Sequence, residues 1–460
     1  MDKETLKKLA KIVGPDHLTT SQEDLLCYSY DGSGLEYLPA AVAFPGSTAE
    51  VSAIMKLAST ARFPVVPRGA GTGMTGGSLP IAGGLVMAMS RLDRIIEIDQ
   101  DNQIGVVEPG VITGHFQNEV SRVGLFYPPD PASHKFCTIG GNVGECAGGP
   151  RAIKYGVTRD YVLGLEAVLA DGQIINTGVR TAKGVAGYDL TRLLVGSEGT
   201  LAIITKITLR LLAKPTASTT FLLLFDSLRQ ATTMVSKILS HLTPCTLEYM
   251  DRTVLKVVAD ALPFQLPEKT EALLLIELDG DPQIVEIQAG ELTELLADKP
   301  GLLAIHQAQD QAAATQLWAA RRAISPSTFK LKPHKIGEDV VVPRSRIPEL
   351  VDFTEQLTAE LDLIILTFGH AGDGNIHVNM MLDRNNPREL AAGQTAKERL
   401  FEKVIKMGGT ITGEHGIGIT KSAYLDHEID SPTLTAMQAI KKALDPLNIL
   451  NPGKIFPESS

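Results

Sequence analysis

Apolar positions along the chain follow two rhythms, and the boundary between them organises the molecule. Residues 1–35 read as a helix and a loop ending near Tyr30-Asp31-Gly32. Ala41-Val42-Ala43-Phe44 is a short apolar strand, and Thr48-Ala49-Glu50 opens a capped helix that runs to about Thr60. Pro64 to Pro67 is the next strand. A glycine-rich zone from Gly69 to Gly149 follows, interrupted by strands at Leu85 to Met89 and Ile104 to Val107. Leu163 to Leu169, the turn Asp171-Gly172 and Ile174-Ile175 read as a hairpin, and Ala202 to Leu211 as a strong strand. Short strands separated by glycine and proline turns predict an α+β fold, not repeated βαβ units.

Pro215 marks a domain boundary. Beyond it, Phe221 to Phe225 and Ala272 to Leu278 are strands, and Gln230 to Leu242 and Pro282 to Ala297 are helices. That pattern predicts a sheet with helices on one face. Leu363 to Phe368 and Ile376 to Leu382 are strands around a turn, Leu390 to Met407 is helical, and Pro432 to Leu444 is a last helix. No repeat or low-complexity segment is present. The domains expected are an N-terminal helical segment (1–36), a first domain (37–215), a second domain (216–420) and a C-terminal helical segment (421–460) that packs on the first.

Composition narrows the function classes. The 460 residues carry a formal net charge of −10, and no Lys/Arg-rich run exists to form a nucleic-acid face. No apolar stretch reaches the roughly 18 residues of a membrane span. The charged start, Met1-Asp2-Lys3-Glu4, does not read as a signal peptide. Four scattered cysteines (Cys27, Cys137, Cys146, Cys245) have no iron–sulfur spacing. Reduced thiols fit a cytoplasmic protein.

Chemistry enters with the glycines. Pro67-Arg68-Gly69-Ala70-Gly71-Thr72-Gly73-Met74-Thr75-Gly76-Gly77 follows a strand directly and holds five glycines in the nine residues from Gly69 to Gly77. Glycine lets backbone amides converge on an anion such as a diphosphate. A nicotinamide-binding loop fits poorly, because Ser78-Leu79-Pro80 follows where that motif enters a helix. Pro128-Pro129-Asp130-Pro131-Ala132-Ser133 with Thr138-Ile139-Gly140-Gly141-Asn142, and Gly196-Ser197-Glu198-Gly199-Thr200, form two further clusters. Three clusters along one domain suit a long cofactor, as a flavin dinucleotide is.

Thr367 to Asn379 is the richest stretch. Ala371 to Asn375 should turn the chain between two apolar strands, setting His370 and His377 nearly opposite each other with Asn379 on the same face. Two imidazoles so placed make half of a metal site, although the spacing alone equally admits a hydrogen-bonded structural pair. Thr412-Gly413-Glu414-His415-Gly416 offers the other half; if it is extended, Glu414 and His415 point to opposite sides and one of them can ligate.

The glycine clusters resemble the FAD-binding domain of the vanillyl-alcohol oxidase superfamily. From about Tyr30 to Ile455 the chain resembles the group that holds the glycolate oxidase catalytic subunit, D-lactate dehydrogenase and D-2-hydroxyglutarate dehydrogenase. The resemblance implies a two-domain flavoprotein, a flavin domain plus an α+β substrate domain, with the C-terminal segment returning to the flavin domain. It implies FAD contacts at Pro67, Arg68, Gly69, Ala70, Gly71, Thr72 and Gly73 for the diphosphate. Pro129, Asp130, Ser133, Gly140, Gly141, Asn142, Glu198, Gly199, Ile203 and Asn451 would line the rest of the flavin path. The loop lacks the histidine of covalently flavinylated relatives, so the FAD is expected to be non-covalent; Cys137 is the one nearby thiol.

By the same resemblance His370, His377 and Glu414 bind a divalent metal (zinc, manganese or iron). His415 is the base, Asn379 a substrate contact, and Arg321 of Trp318-x-x-Arg321 the carboxylate clamp, with Arg322 the alternative one residue on. A substrate-binding lysine of some relatives maps to Lys335 or is replaced by Gly337. The implied reaction oxidises a D-2-hydroxy acid (D-lactate first, glycolate second, 2-hydroxyglutarate third) to the 2-oxo acid, with hydride to flavin N5. The electrons would leave to a separate acceptor: an iron–sulfur subunit, an electron-transfer flavoprotein or a quinone. Such a partner could hold the protein at the inner membrane. An O2-using oxidase of the same fold is the alternative.

Overall fold

The structure is a computed structural model that describes residues 1–297 and 299–457. The chain forms two compact units. The first comprises residues 1–148, 157–214 and everything from Glu414 onward; the second comprises 149–156 and 215–413.

The first unit begins with a four-stranded sheet of β1 (Leu18–Thr19), β2 (Ala41–Ala43), β3 (Val65–Arg68) and β4 (Leu85–Ala88), in the order β1-β2-β4-β3. β4 pairs in parallel with both β2 and β3. The helix Thr48–Ala61 carries the chain from β2 across to β3, so one βαβ crossover is present, a single unit and not a repeat. The strands are short. Apart from Thr19 and Arg68 they are apolar, and β2, β3 and β4 are buried on both faces. Ala41, Ala43, Val65, Leu85 and Met87 pack on Val51, Ile54 and Met55 of that helix, whereas Val42, Val66, Val86 and Ala88 form a second cluster with Leu25, Tyr28 and Phe44. Ser47, not Thr48, caps the helix by accepting from the Glu50 amide, and the Glu50 carboxylate accepts from the Gly46 amide at 2.8 Å.

A five-stranded antiparallel sheet completes this unit: β5 (Ile95–Asp99), β6 (Ile104–Val107), β8 (Val162–Val168), β9 (Ile174–Gly178) and β10 (Ile203–Arg210), in the order β5-β6-β10-β8-β9. β7 (Leu125–Phe126) pairs separately with β11 (Leu212–Ala213). The C-terminal segment is sewn on by hydrogen bonds. Lys441 Nζ donates to the carbonyls of Thr200 and Leu450, each at 2.8 Å, and Leu450 bridges to Val65 beside β3.

The second unit is built on seven antiparallel strands: β12 (Ala217–Phe225), β13 (Thr246–Asp251), β14 (Ala272–Gly280), β15 (Leu302–Gln307), β16 (His334–Val341), β17 (Ile364–His370) and β18 (Asn375–Leu382). Their order is β15-β12-β14-β13-β17-β18-β16. The helix Gln311–Ser327 lies on one face, where Leu317, Ala320 and Ile324 pack on Leu222, Leu224, Met250, Leu273, Leu275, Leu366 and Phe368. Residues 149–156 join this unit through Asp279, whose carboxylate accepts from Lys154 Nζ at 2.5 Å and from the Tyr155 hydroxyl at 2.7 Å. No feature of the sequence announced that excursion. The second unit also ends at Gly413 and not at residue 420. The reason is local: the amides of Ile417 and Gly418 donate to the Glu198 carboxylate at 2.7 and 2.8 Å, and Ile419 donates to the Thr75 carbonyl, all within the first unit.

Candidate active site

β3 ends at Arg68, and the glycine loop starts there. Arg68 is buried beneath the loop, donating to the Tyr30 carbonyl at 2.7 Å and to Ser78 Oγ at 3.2 Å. Its guanidinium therefore braces the loop from behind. Gly71 has φ +68°, and a Cβ there would fall 2.2 Å from Arg68 Nη2. The buried amides of Thr75, Gly76 and Gly77 donate to no protein acceptor among the described residues. Buried amides without acceptors are rare in folded proteins, so this loop is shaped to receive one from a ligand. A diphosphate-bearing cofactor fits that cradle.

The second glycine cluster is a short helix, Ile139–Glu145, capped by Thr138. Gly140 approaches Pro109 so closely that a Cβ would lie 2.8 Å from its carbonyl oxygen. Asn142 donates to Thr113 Oγ1 at 2.8 Å, which ties this helix to its neighbour, and Gln117 holds the Pro129 carbonyl at 2.8 Å. In the third cluster Glu198 has φ +51° and its carboxylate holds the Ile417 and Gly418 amides. Burial raises its pKa, opposed by those two amides. Asn451 Nδ2 donates to the carbonyls of Gly77 and Glu198, each at 2.7 Å, joining the first and third clusters.

One face of the second unit's sheet gathers the remaining chemistry. His370 pairs with Asn375, and His377 with Phe368. The histidines are thus diagonal neighbours, not directly opposed, because the four-residue turn Ala371–Gly374 places Asn375 opposite His370. Their rings still meet, with centroids 5.3 Å apart and planes at 82°. Asn379 lies two residues along on the same face. Its amide makes no hydrogen bond among the described residues, and Gly337 opposite leaves it room: a Cβ there would be 2.9 Å from Asn379 Oδ1. Lys335, next on that face of β16, reaches Ser325 Oγ at 3.5 Å and the Phe329 ring. Burial lowers its pKa.

Arg321 projects from the helix Gln311–Ser327. Its Nε donates to Glu248 Oε2 at 2.5 Å and its guanidinium lies 5.1 Å from the Phe368 ring. Nη1 and Nη2 form no hydrogen bond among the described residues. Arg322, the alternative, donates from Nη2 to the Thr315 carbonyl of its own helix. Glu248 Oε1 meets His370 Nδ1 at 2.5 Å. Burial would raise the Glu248 carboxyl, but His370 and Arg321 outweigh it and hold the pKa at about 2. Sequence reasoning missed Glu248: it precedes His370 by 122 residues, and no motif marks it.

Glu414 directly follows Gly413, whose amide donates to Asp339 Oδ2 at 2.9 Å. The stretch bends here and is not extended, with Gly416 at φ +79° and Gly418 at +51°. Alternation therefore does not govern Glu414 and His415. The donor atoms of His370, His377 and Glu414 all lie within 4.8 Å of one another, a spacing that suits one metal ion. All four cysteines are free thiols, and no helix among the described residues is long and apolar enough to cross a membrane.

Comparison with known proteins gives these features a family. The model described as FAD linked oxidases, C-terminal domain, matches residues 214–455, and the FAD binding domain model matches 39–178. The glycolate oxidase subunit GlcD of Bacillus subtilis is 45% identical over 460 residues, covering 100% of this chain and 98% of that protein. A D-lactate dehydrogenase of Anaerostipes hadrus is 36% identical over 435 residues, covering 89% and 88%. Among solved structures, p-cresol methylhydroxylase with substrate bound has a TM-score of 0.81 at 17% identity, covering 99% of this chain and 96% of that one. Alkyldihydroxyacetonephosphate synthase has a TM-score of 0.78 at 18% identity, covering 98% and 86%. At those identities the two structures speak for the fold alone. The chain belongs to the FAD-linked oxidases of the vanillyl-alcohol oxidase superfamily, in the group of FAD-dependent hydroxyacid dehydrogenases.

Proposed function

We propose that the protein oxidises a small D-2-hydroxy acid, D-lactate before glycolate, to the 2-oxo acid, with a divalent metal at His370, His377 and Glu414. The observation that carries this reading is the sheet face where His370, His377, Asn379 and the unspent fork of Arg321 stand together. When bound, FAD would supply the acceptor for one hydride, that is two electrons and a proton, leaving substrate C2, and a metal held by His370, His377 and Glu414 would polarise the substrate hydroxyl.

The chain's own residues supply the rest. Arg321 offers Nη1 and Nη2 to the substrate carboxylate; a planar fork suits a planar carboxylate. Fixing that group fixes which face of C2 is presented. His415, as a neutral imidazole, takes the hydroxyl proton. Asn379 contacts the substrate with an amide that makes no hydrogen bond among the described residues. The glycine loop from Gly69 to Gly77 holds the FAD diphosphate through backbone amides, without a covalent link, so acid precipitation should leave the yellow colour in the supernatant.

The test is a panel of D- and L-2-hydroxy acids offered to FAD-loaded protein, with and without zinc, manganese or iron, and an artificial dye as acceptor. Dye reduction by D-lactate or glycolate that stops on chelation is the expected result. No turnover of any 2-hydroxy acid, or full turnover in metal-free protein, would overturn the reading.

A further inference from the structure

Among the buried acidic groups that the mechanism above leaves unused, one touches two of its residues. Glu248 sits on β13 and is wholly inaccessible to solvent. Around it the sheet face is hydrocarbon: Leu222, Leu224, Met250, Leu273, Leu275, Leu366 and Met381. Tyr249 pairs with Gly369, which sets Glu248 beside His370 on the neighbouring strand. One carboxylate oxygen meets His370 Nδ1 and the other meets Arg321 Nε, each at 2.5 Å.

We propose that Glu248 is a positioning residue that couples the metal ligand to the substrate clamp; the inference rests on the metal reading above. With Oε1 it accepts the Nδ1 proton of His370. That fixes the tautomer in which Nε2 carries the lone pair, the form a metal requires. With Oε2 it binds Arg321 at Nε only, which anchors the guanidinium by its root and keeps both terminal nitrogens for the substrate carboxylate. One side chain thus fixes two groups from elements 49 residues apart in sequence, His370 and Arg321. A buried ion pair is a poor device for stability alone, since hydrophobic replacements of similar volume are often neutral or better. Its placement between two groups that must both be aimed is what accounts for it.

Glu248→Gln separates the two contacts. The amide has a single acceptor and faces two donors, His370 Nδ1–H and Arg321 Nε–H, so one contact must fail. The experiment compares FAD-loaded wild type, Glu248→Gln and Glu248→Asp. Metal affinity is measured by chelator competition with zinc, and KM and kcat for the turned-over hydroxy acid under saturating metal. The expected result for Glu248→Gln is a metal affinity lower by roughly 10- to 100-fold, the usual effect of losing such an outer partner. Excess metal should restore much of kcat, whereas KM should stay raised by about tenfold or more, as for a lost hydrogen bond to a charged group. Glu248→Asp keeps both acceptor oxygens and should fall between; it carries the test if the glutamine variant does not fold. A merely structural role would not be rescued by metal or split kcat from KM. Wild-type metal affinity and KM in the variants would overturn the coupling alone, whereas a wild type that binds no metal would overturn the metal reading and the coupling with it.

Discussion

In the proposed reaction His377 and His415 carry different work, His377 as a metal donor and His415 as the base, and single substitutions separate them. His377→Ala removes one of three metal donors, so the purified protein should lose its metal and its dehydrogenase activity while the flavin absorbance spectrum stays unchanged. His415→Ala removes the base; FAD and metal content should hold, and kcat should fall by roughly 10²–10⁴, the usual contribution of a positioned general base. Metal analysis and steady-state kinetics on the two variants check both statements, and normal turnover by His415→Ala would move the role of base elsewhere. At this scale the sequence was legible wherever residue type and spacing coincide. His370, His377 and Asn379 announce themselves because a Gly/Asp turn lies between two apolar strands. Glu248 did not, because Thr246-Leu247-Glu248-Tyr249 gives no hint that its acid will be wholly buried against partners on two other elements. Arg68 stands in the glycine motif, and its guanidinium holds the Tyr30 carbonyl and Ser78 Oγ, so its side chain serves the loop.

Elements were legible in proportion to their contrast. β17 and β18 are largely apolar runs on either side of a Gly/Asp turn, and they form; the register differs from expectation by a diagonal step, which the turn length decides and composition does not. β13, β15 and β16 escaped notice because their rows carry charged or polar residues: Glu248 and Asp251, His306 and Gln307, Glu338 and Asp339. Asp251 gives β13 a measurable pH signature. Its Oδ2 accepts from the Thr367 amide at 2.5 Å, tying β13 to β17, and its Oδ1 caps the helix Arg252–Val258 through the Val254 amide at 2.8 Å. Burial pushes its pKa from 3.8 up to about 6, although those hydrogen bonds pull the other way. Between these values the folded state binds more protons than the unfolded chain, so this group's contribution to stability falls as pH rises from about 4 to about 6. The loss is on the order of 3 kcal/mol. Asp251→Asn cannot titrate, so the stability difference between variant and wild type should shift in the variant's favour across that window. Denaturant unfolding at a series of pH values checks it; a difference that is flat from pH 4 to 6 would show that Asp251 stays ionised.

Across the whole molecule the open matter is the exit of electrons. The chain has no iron–sulfur spacing among its four cysteines, and no second dinucleotide motif follows the first. If the proposed dehydrogenase reading holds, with electrons passing to a separate protein or quinone, reduced enzyme mixed with air-saturated buffer in a stopped-flow instrument should reoxidise far more slowly than substrate reduces it. Reoxidation as fast as turnover, with stoichiometric peroxide, would make the protein an oxidase that needs no acceptor partner. The order of units along the chain has a consequence for biosynthesis. Leu450 closes on Val65, and Ile417 and Gly418 close on Glu198, so the flavin-binding unit lacks these three fastenings until residues 417–450 have been synthesised. The unit spanning 215–413 is synthesised almost in one piece and can mature while the other waits. The nascent protein would thus assemble its histidine pair before those fastenings exist, and a chain stopped between Gly413 and Ile417 should lack all three.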